Sequence, residues 1–154
     1  MLEANVSKSA KSVLLARIID GISEKLNSVF GDEYEIYTEQ IKQGMKTPCF
    51  FIQLITPENV QIMGNRYFRK NLFCIQFFPS SNEPNAECCY MQDALYLALE
   101  HITVDGDLQR GIKMCGEFID GVLHFFVNYN MYIKKIEDIT LMETLEVPDI
   151  KTKG

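Results

Sequence analysis

Apolar residues recur at steps of three and four from Ser7 to Phe30, at Val13, Leu14, Ile18, Ile22, Leu26 and Val29. Lys11, Arg17, Asp20, Glu24 and Lys25 fall mostly between them, so the spacing predicts a helix with one buried and one wet face. Gly31 follows as a C-terminal stop. A second helix is predicted from Asn85 to His101, after the breaker-rich PSSNEP, with Cys88, Met91, Leu95, Ala98 and Ile102 as its stripe. Elsewhere the period falls to two. Tyr34–Glu39 alternates as a short strand and Val122–Ile133 as a long one. In the long strand Leu123, Phe125, Val127, Tyr129, Met131 and Ile133 share one face. His124, Asn128, Asn130, Tyr132 and Lys134 share the other, and Phe126 is the misfit. One face belongs to the core and one to water or a partner.

Asp120-Gly121 precedes that strand and predicts a two-residue hairpin, because both turn positions need positive φ. Counting outward sets Phe118 opposite Leu123, Met114 opposite Val127 and Ile112 opposite Tyr129 on the buried face. Glu117 then meets His124, and Lys113 meets Asn128. Gly64-Asn65 predicts a second tight turn, joining Cys49–Met63 to Arg66–Phe78, with Leu54 opposite Ile75, Ile52 opposite Phe77 and Gln53 opposite Gln76. Pro57 cannot donate to a ladder and demands an edge or a bulge. The expectation is therefore a regular inner part near 49–56 and 72–78, with an irregular projecting arm over 57–71.

That arm carries Arg66, Arg69 and Lys70, with Tyr67 and Phe68 among them. Cations here serve either as a charged edge that resists aggregation or as a partner-binding arm, since arginine and tyrosine are enriched in interface hot spots. The element order predicts an α+β fold, an antiparallel sheet of four or five strands with two helices packed on one face. Residues 1–138 form a single domain in this reading. Residues 139–154 form a tail that frays or docks on a neighbour, for LMETLEVPDIKTKG shows no clean period.

Composition narrows the function classes. With 154 residues the chain has the length of one domain. Its 47% apolar and 23% charged residues are ordinary for a folded protein. A net charge of −6 argues against a duplex-binding module held by phosphate contacts. Cys49, Cys74, Cys88, Cys89 and Cys115 show no C-x-x-C spacing, and His101 and His124 are the only histidines, so the expectation is no metal and no cofactor. No window is apolar enough for a membrane span, and MLEANVSKSAKS lacks a signal-peptide core.

Catalytic constellations are also missing from the pattern. His101 is expected at a helix end and His124 on a strand, with no serine or cysteine at a sharp turn beside either. Gly106, Gly111, Gly116 and Gly121 are too dispersed for a phosphate loop. Asp105-Gly106-Asp107 lacks the later ligands of a calcium loop and is expected to be a turn. The chain does not read as an enzyme, although a small cysteine-dependent enzyme working through Cys89 or Cys115 is the rival reading.

Several segments together resemble a known family: EYEIYTEQIKQGMKTPCFFIQLI, MGNRYFRKNLFCIQFFP, ALEHITVDGDLQRG and DGVLHFFVNYNMYI. They are similar to the tail terminators of phages and prophages of Gram-positive bacteria, over roughly residues 10 to 135. The resemblance implies an α+β structural protein without catalytic residues. It implies a ring of identical subunits, commonly a hexamer, that sits on the last ring of the tail tube, stops polymerisation and offers a head-joining surface. The implied partners are a second copy, the tail tube protein and head–tail connector proteins, with DNA passing through without sequence-specific binding. The implied locations are the bacterial host cytoplasm during assembly and the virion tail. Another neck or tail-completion protein of the same fold, without the stopping role, is the alternative. In this setting Arg66, Tyr67, Arg69 and Lys70 are expected to meet a neighbouring subunit or the tube, and His124, Asn128 and Asn130 to face a channel.

Overall fold

The computed structural model describes residues 2–5, 14–39 and 44–136. The expected helix over residues 7–13 and the tail from 139 lie outside them. The chain order is β1 (Leu2–Asn5), α1 (Leu14–Phe30), β2 (Glu35–Tyr37), β3 (Cys49–Met63), β4 (Arg66–Phe78) and α2 (Pro84–Ala98). There follow β5 (His101–Val104), β6 (Asp107–Arg110), β7 (Ile112–Ile119), β8 (Val122–Asn128) and β9 (Met131–Ile136).

β4 is the centre of the sheet. One of its sides pairs with β3 along its whole length, and the other pairs first with β9 and then with β8. β2 lies outside β3, β7 outside β8 and β1 outside β9. The α+β class stands, but among the described residues the sheet is seven-stranded and mixed, because β1 runs parallel to β9 and β2 parallel to β3. Four or five antiparallel strands was too few, since local patterns cannot report parallel pairings that bridge distant parts of the chain. β5 and β6 form a separate two-stranded ribbon.

Both helices cover one face. On α1, Leu14, Ile18, Ile22 and Leu26 are buried, while Phe30 packs on Phe50 at 5.5 Å between ring centroids. Val29 was expected in this stripe and is exposed, because the last helical turn turns Phe30 inward instead. Gly31 ends the helix with φ 79°, its N–H donating to the Asn27 carbonyl at 2.9 Å. On α2, Cys88, Met91, Leu95 and Ala98 face inward, and Tyr96 meets Phe125 edge-on at 5.4 Å. The core between the layers contains Phe50, Ile52, Phe73, Ile75, Phe77, Leu123, Phe125, Val127 and Tyr129. Every second residue from Leu123 to Ile133 is buried, as the alternation requires.

The reversal at Asp120-Gly121 has φ 51° and 77°, and Glu117 pairs with His124 and Phe118 with Leu123. The count holds as far as Cys115 opposite Phe126. It then slips by one, so Ile112 lies opposite Asn128 rather than Tyr129, with Lys113 at φ 54° within the bulge. Phe118 and Ile112 are exposed rather than buried. β7 is an edge strand, and α2 reaches it at Gly116, beside the Gln92 side chain, without covering those two.

The Gly64-Asn65 reversal is also as expected, with Met63 opposite Arg66. Bulges at Ile55 and Ile62 then displace the register twice, giving Ile52 opposite Ile75 and Leu54 opposite Phe73. Two single-residue slips restore the parity, so every inner residue keeps its expected face. The arm over 57–71 is regular apart from the bulge at Ile62. Thr56–Gln61 pairs residue by residue with Tyr67–Leu72, and β9 flanks the other side of β4 over Arg66–Arg69. Pro57 is tolerated because β3 is the edge there, next to a bulge.

His101 does not end a helix. It opens β5, which turns through Asp105-Gly106 (φ 53° and 83°) into β6.

Candidate interaction surface

The face of the sheet turned away from the helices carries some of the expected site residues and not others. Strict alternation along β4 sends Arg66, Phe68, Lys70, Leu72, Cys74 and Gln76 to it, and Tyr67, Arg69 and Asn71 to the side of the core. The four expected arm residues are therefore split between two faces. Arg66 and Lys70 are exposed, and Tyr67 and Arg69 half-buried. Arg69 donates from Nε to the Asn59 side-chain oxygen at 3.4 Å, and burial pulls its pKa below the usual arginine value.

β9 adds what the sequence left unseen. Lys134 lies directly opposite Arg66 on the helix-free face, and like charges in that position repel. Lys135 follows, its N–H donating to the Asn65 carbonyl at 2.7 Å. Against these cations the arm offers Glu58, opposite Lys70, and β1 puts Glu3 at the register position beside Lys134. Among the described residues the ion pairs within 4.0 Å are Arg17–Asp105 and Glu100–Arg110, both away from the arm. Between the charges runs an apolar row. Phe68 and Tyr132 pack at 4.8 Å between centroids, and Val60 lies opposite Phe68 on the next strand. Val60, Ile62, Met63 and Tyr132 are all exposed, Met63 at 73%. Tyr132 and Lys134 were legible as outward residues, but their placement beside β4 depends on a pairing far apart in sequence.

Toward the other end of the same face the cations give way to neutral side chains and the exposed Glu117. His124 sits between Gln76 and Glu117, and Asn128 between Leu72 and Ile112. Both are half-buried. Gln76 donates to Gln53 at 3.2 Å, so the two glutamines are diagonal partners rather than opposite ones. Asn130 differs from its companions because its side-chain oxygen accepts the Asn71 backbone N–H at 3.1 Å. Part of its polarity is thus turned into the sheet.

No reactive arrangement accompanies this surface among the described residues. Cys49, Cys74 and Cys88 are buried, and Cys89 and Cys115 exposed. Burial, with a smaller contribution from Glu117, pushes the Cys74 thiol up to about 11, away from nucleophilic character. No trio of potential metal ligands is found in the described residues. No helix there is long and apolar enough to cross a membrane. A shallow groove beside α1, lined by Gly21, Glu24, Lys25, Ser28 and Thr103, is open and polar.

Residues 17–140 match the family described as phage tail terminator protein. No curated protein matches the chain closely enough to add a relative.

Proposed function

The chain belongs to the phage tail terminator family, and from that premise we propose that it works as a ring of identical subunits closing the tail tube. The ring seats on the last ring of tube protein, stops further polymerisation and presents its other side to head-joining proteins. The role is one of shape and needs no reactive centre. What carries this reading is the meeting of exposed Arg66 with half-buried Lys134 on the helix-free face. Two cations held opposite each other weaken an isolated subunit, and an acidic partner surface turns the same pair into an attraction. A closed ring needs one patch to fit a different patch on the next copy, and a chain of net charge −6 with a basic arm has both halves of such a pair.

Arg66, Tyr67, Arg69 and Lys70 are the arm's contribution, joined by Lys134. His124, Asn128 and Asn130 face the channel in the same reading. A weakly polar or acidic lining there, with Glu117 beside His124, lets a polyanion pass without sticking.

Arg66→Glu together with Arg69→Glu is expected to reduce the native mass from ring to single subunits. Arg66→Glu alone serves as the variant whose own fold is not at risk, because this side chain is exposed. An intact ring in both variants, with tail length still controlled, removes the arm from the mechanism.

A further inference from the structure

We propose that the helix-free face of the arm on one copy seats on the outer face of α2 on the next copy, with Arg66 against Asp93, and so joins neighbouring subunits of the ring. This contact rests on the ring reading and supplies the surface that receives the arm.

On the arm, Val60, Phe68 and Tyr132 form a row across three strands, Val60 opposite Phe68 and Phe68 opposite Tyr132. Two strand spacings set its length at about 10 Å. The next row on the same face is Met63, Arg66 and Lys134, about 7 Å along the strands. Lys70 has Glu58 opposite it, and Lys134 has Glu3 beside it in register. Arg66 has only Met63 on one side and Lys134 on the other. Among the described residues, its charge is the one left without a carboxylate at either register position.

α2 offers the counterpart. Its stripe of Cys88, Met91, Leu95 and Ala98 is buried, yet Tyr90 and Leu97 are apolar too and stand 72% and 79% exposed. With about 3.6 residues per turn, Tyr90, Asp93 and Leu97 share one line on the solvent side. Tyr90 and Leu97 are about 10 Å apart along the axis, the length of the arm's apolar row. Exposed Asp93 stands between them. A helix laid along the row therefore brings Asp93 beside Arg66 while Tyr90 and Leu97 cover Val60, Phe68 and Tyr132. Charge is one-signed around it, for between Lys70 and Arg110 the sequence has six carboxylates and no lysine or arginine. Glu100 and Asp105 are taken by Arg110 and Arg17, whereas Glu87 and Asp93 of α2 are in no ion pair among the described residues.

The two surfaces cannot meet within one subunit. The arm face is turned away from the helices, and α2 packs on the other face of the sheet, with Tyr96 on Phe125 of β8 and Gln92 beside Gly116 of β7. Pairing like with like is disfavoured on both sides, because it brings Arg66 and Lys134 onto a second such pair, or Asp93 onto Asp93. Arm on α2 joins two different patches, and a heterologous contact of this kind generates a ring when its rotation closes.

The test uses the full chain. Native mass spectrometry of Asp93→Lys, and separately of Tyr90→Ser with Leu97→Ser, is expected to show loss of the ring to the 17.7 kDa subunit. Far-ultraviolet circular dichroism should stay unchanged, since all three side chains are exposed. Arg66→Glu combined with Asp93→Lys is expected to regain the ring that either change alone loses. In a mixture of isotope-labelled and unlabelled wild-type copies, carbodiimide is expected to join the Lys70 or Lys134 peptide of one copy to the Asp93 peptide of another. Rings that survive both helix variants, or that the double variant does not regain, overturn this contact and leave the ring reading standing. Intact rings that no longer seat on tube ends assign the outer face of α2 to the tube protein instead and overturn it too. The cross-link needs no substitution and decides the matter if a variant fails to fold, its absence overturning the contact. A wild-type protein that stays a single subunit even on tube ends removes the ring reading and the contact together.

Discussion

The side-chain oxygen of Asn130 accepts the backbone N–H of Asn71 at 3.1 Å and replaces one rung of the sheet ladder. Asn71 is fully buried and answers with its own amide, donating to the Tyr129 carbonyl at 3.0 Å. Because of this exchange β8 and β9 keep one register against β4 across the break, with Phe73 opposite Val127 on one side and Arg69 opposite Met131 on the other. Asn130→Ala strands a buried N–H and is expected to cost about 1–3 kcal/mol. Asn130→Asp keeps the acceptor and is expected to cost less. Urea midpoints check both, and an Asn130→Ala midpoint equal to wild type contradicts the assignment.

Gly21 sits inside α1, where replacing glycine by alanine ordinarily stabilises by roughly 0.5–1 kcal/mol. Here an added Cβ would lie 2.6 Å from the backbone oxygen of Thr103 in β5. Backbone cannot swing aside as a side chain can. Gly21→Ala is therefore expected to destabilise by about 1–3 kcal/mol, with the sign read from thermal melts. A raised melting temperature would show that the ribbon moves freely from α1.

Much of this architecture could be read from the chain, and the failures share a cause. The face of each residue from Leu123 to Ile133 followed from a period of two, and the stripe from Cys88 to Ala98 on α2 from steps of three and four. Register did not follow, because the bulges at Ile55, Ile62 and Lys113 have no local signature strong enough to count by. The helix expected over Asn85–His101 runs past Ala98, where α2 ends, because Ile102 extends the apolar stripe. Yet Asp105-Gly106 is the same turn signal that correctly placed the reversal at Asp120-Gly121. The arm's cations were legible one by one. The meeting of Arg66 with Lys134 required a pairing across nearly half of the chain, which no window of sequence contains.

Thiol chemistry separates surface from core. Cys89 and Cys115 are expected to react in the native protein, and Cys49, Cys74 and Cys88 only after unfolding. The pH dependence has a definite sign. Cys74 holds its proton more tightly when folded, at about 11 against an ordinary 9.0. Its contribution to stability is complete below about pH 9 and is lost as the pH rises toward 11. Denaturant midpoints should fall across that window, and fall less steeply in Cys74→Val. Equal slopes would place the alkaline loss elsewhere.

The central claim concerns assembly, and tube length reads it directly. Purified tail tube protein should be polymerised with and without this chain and imaged by negative-stain microscopy. The expected result is tubes that carry a ring at one end and cease to lengthen once it is bound. Tubes that bear no added ring and grow equally long with the protein present would contradict it.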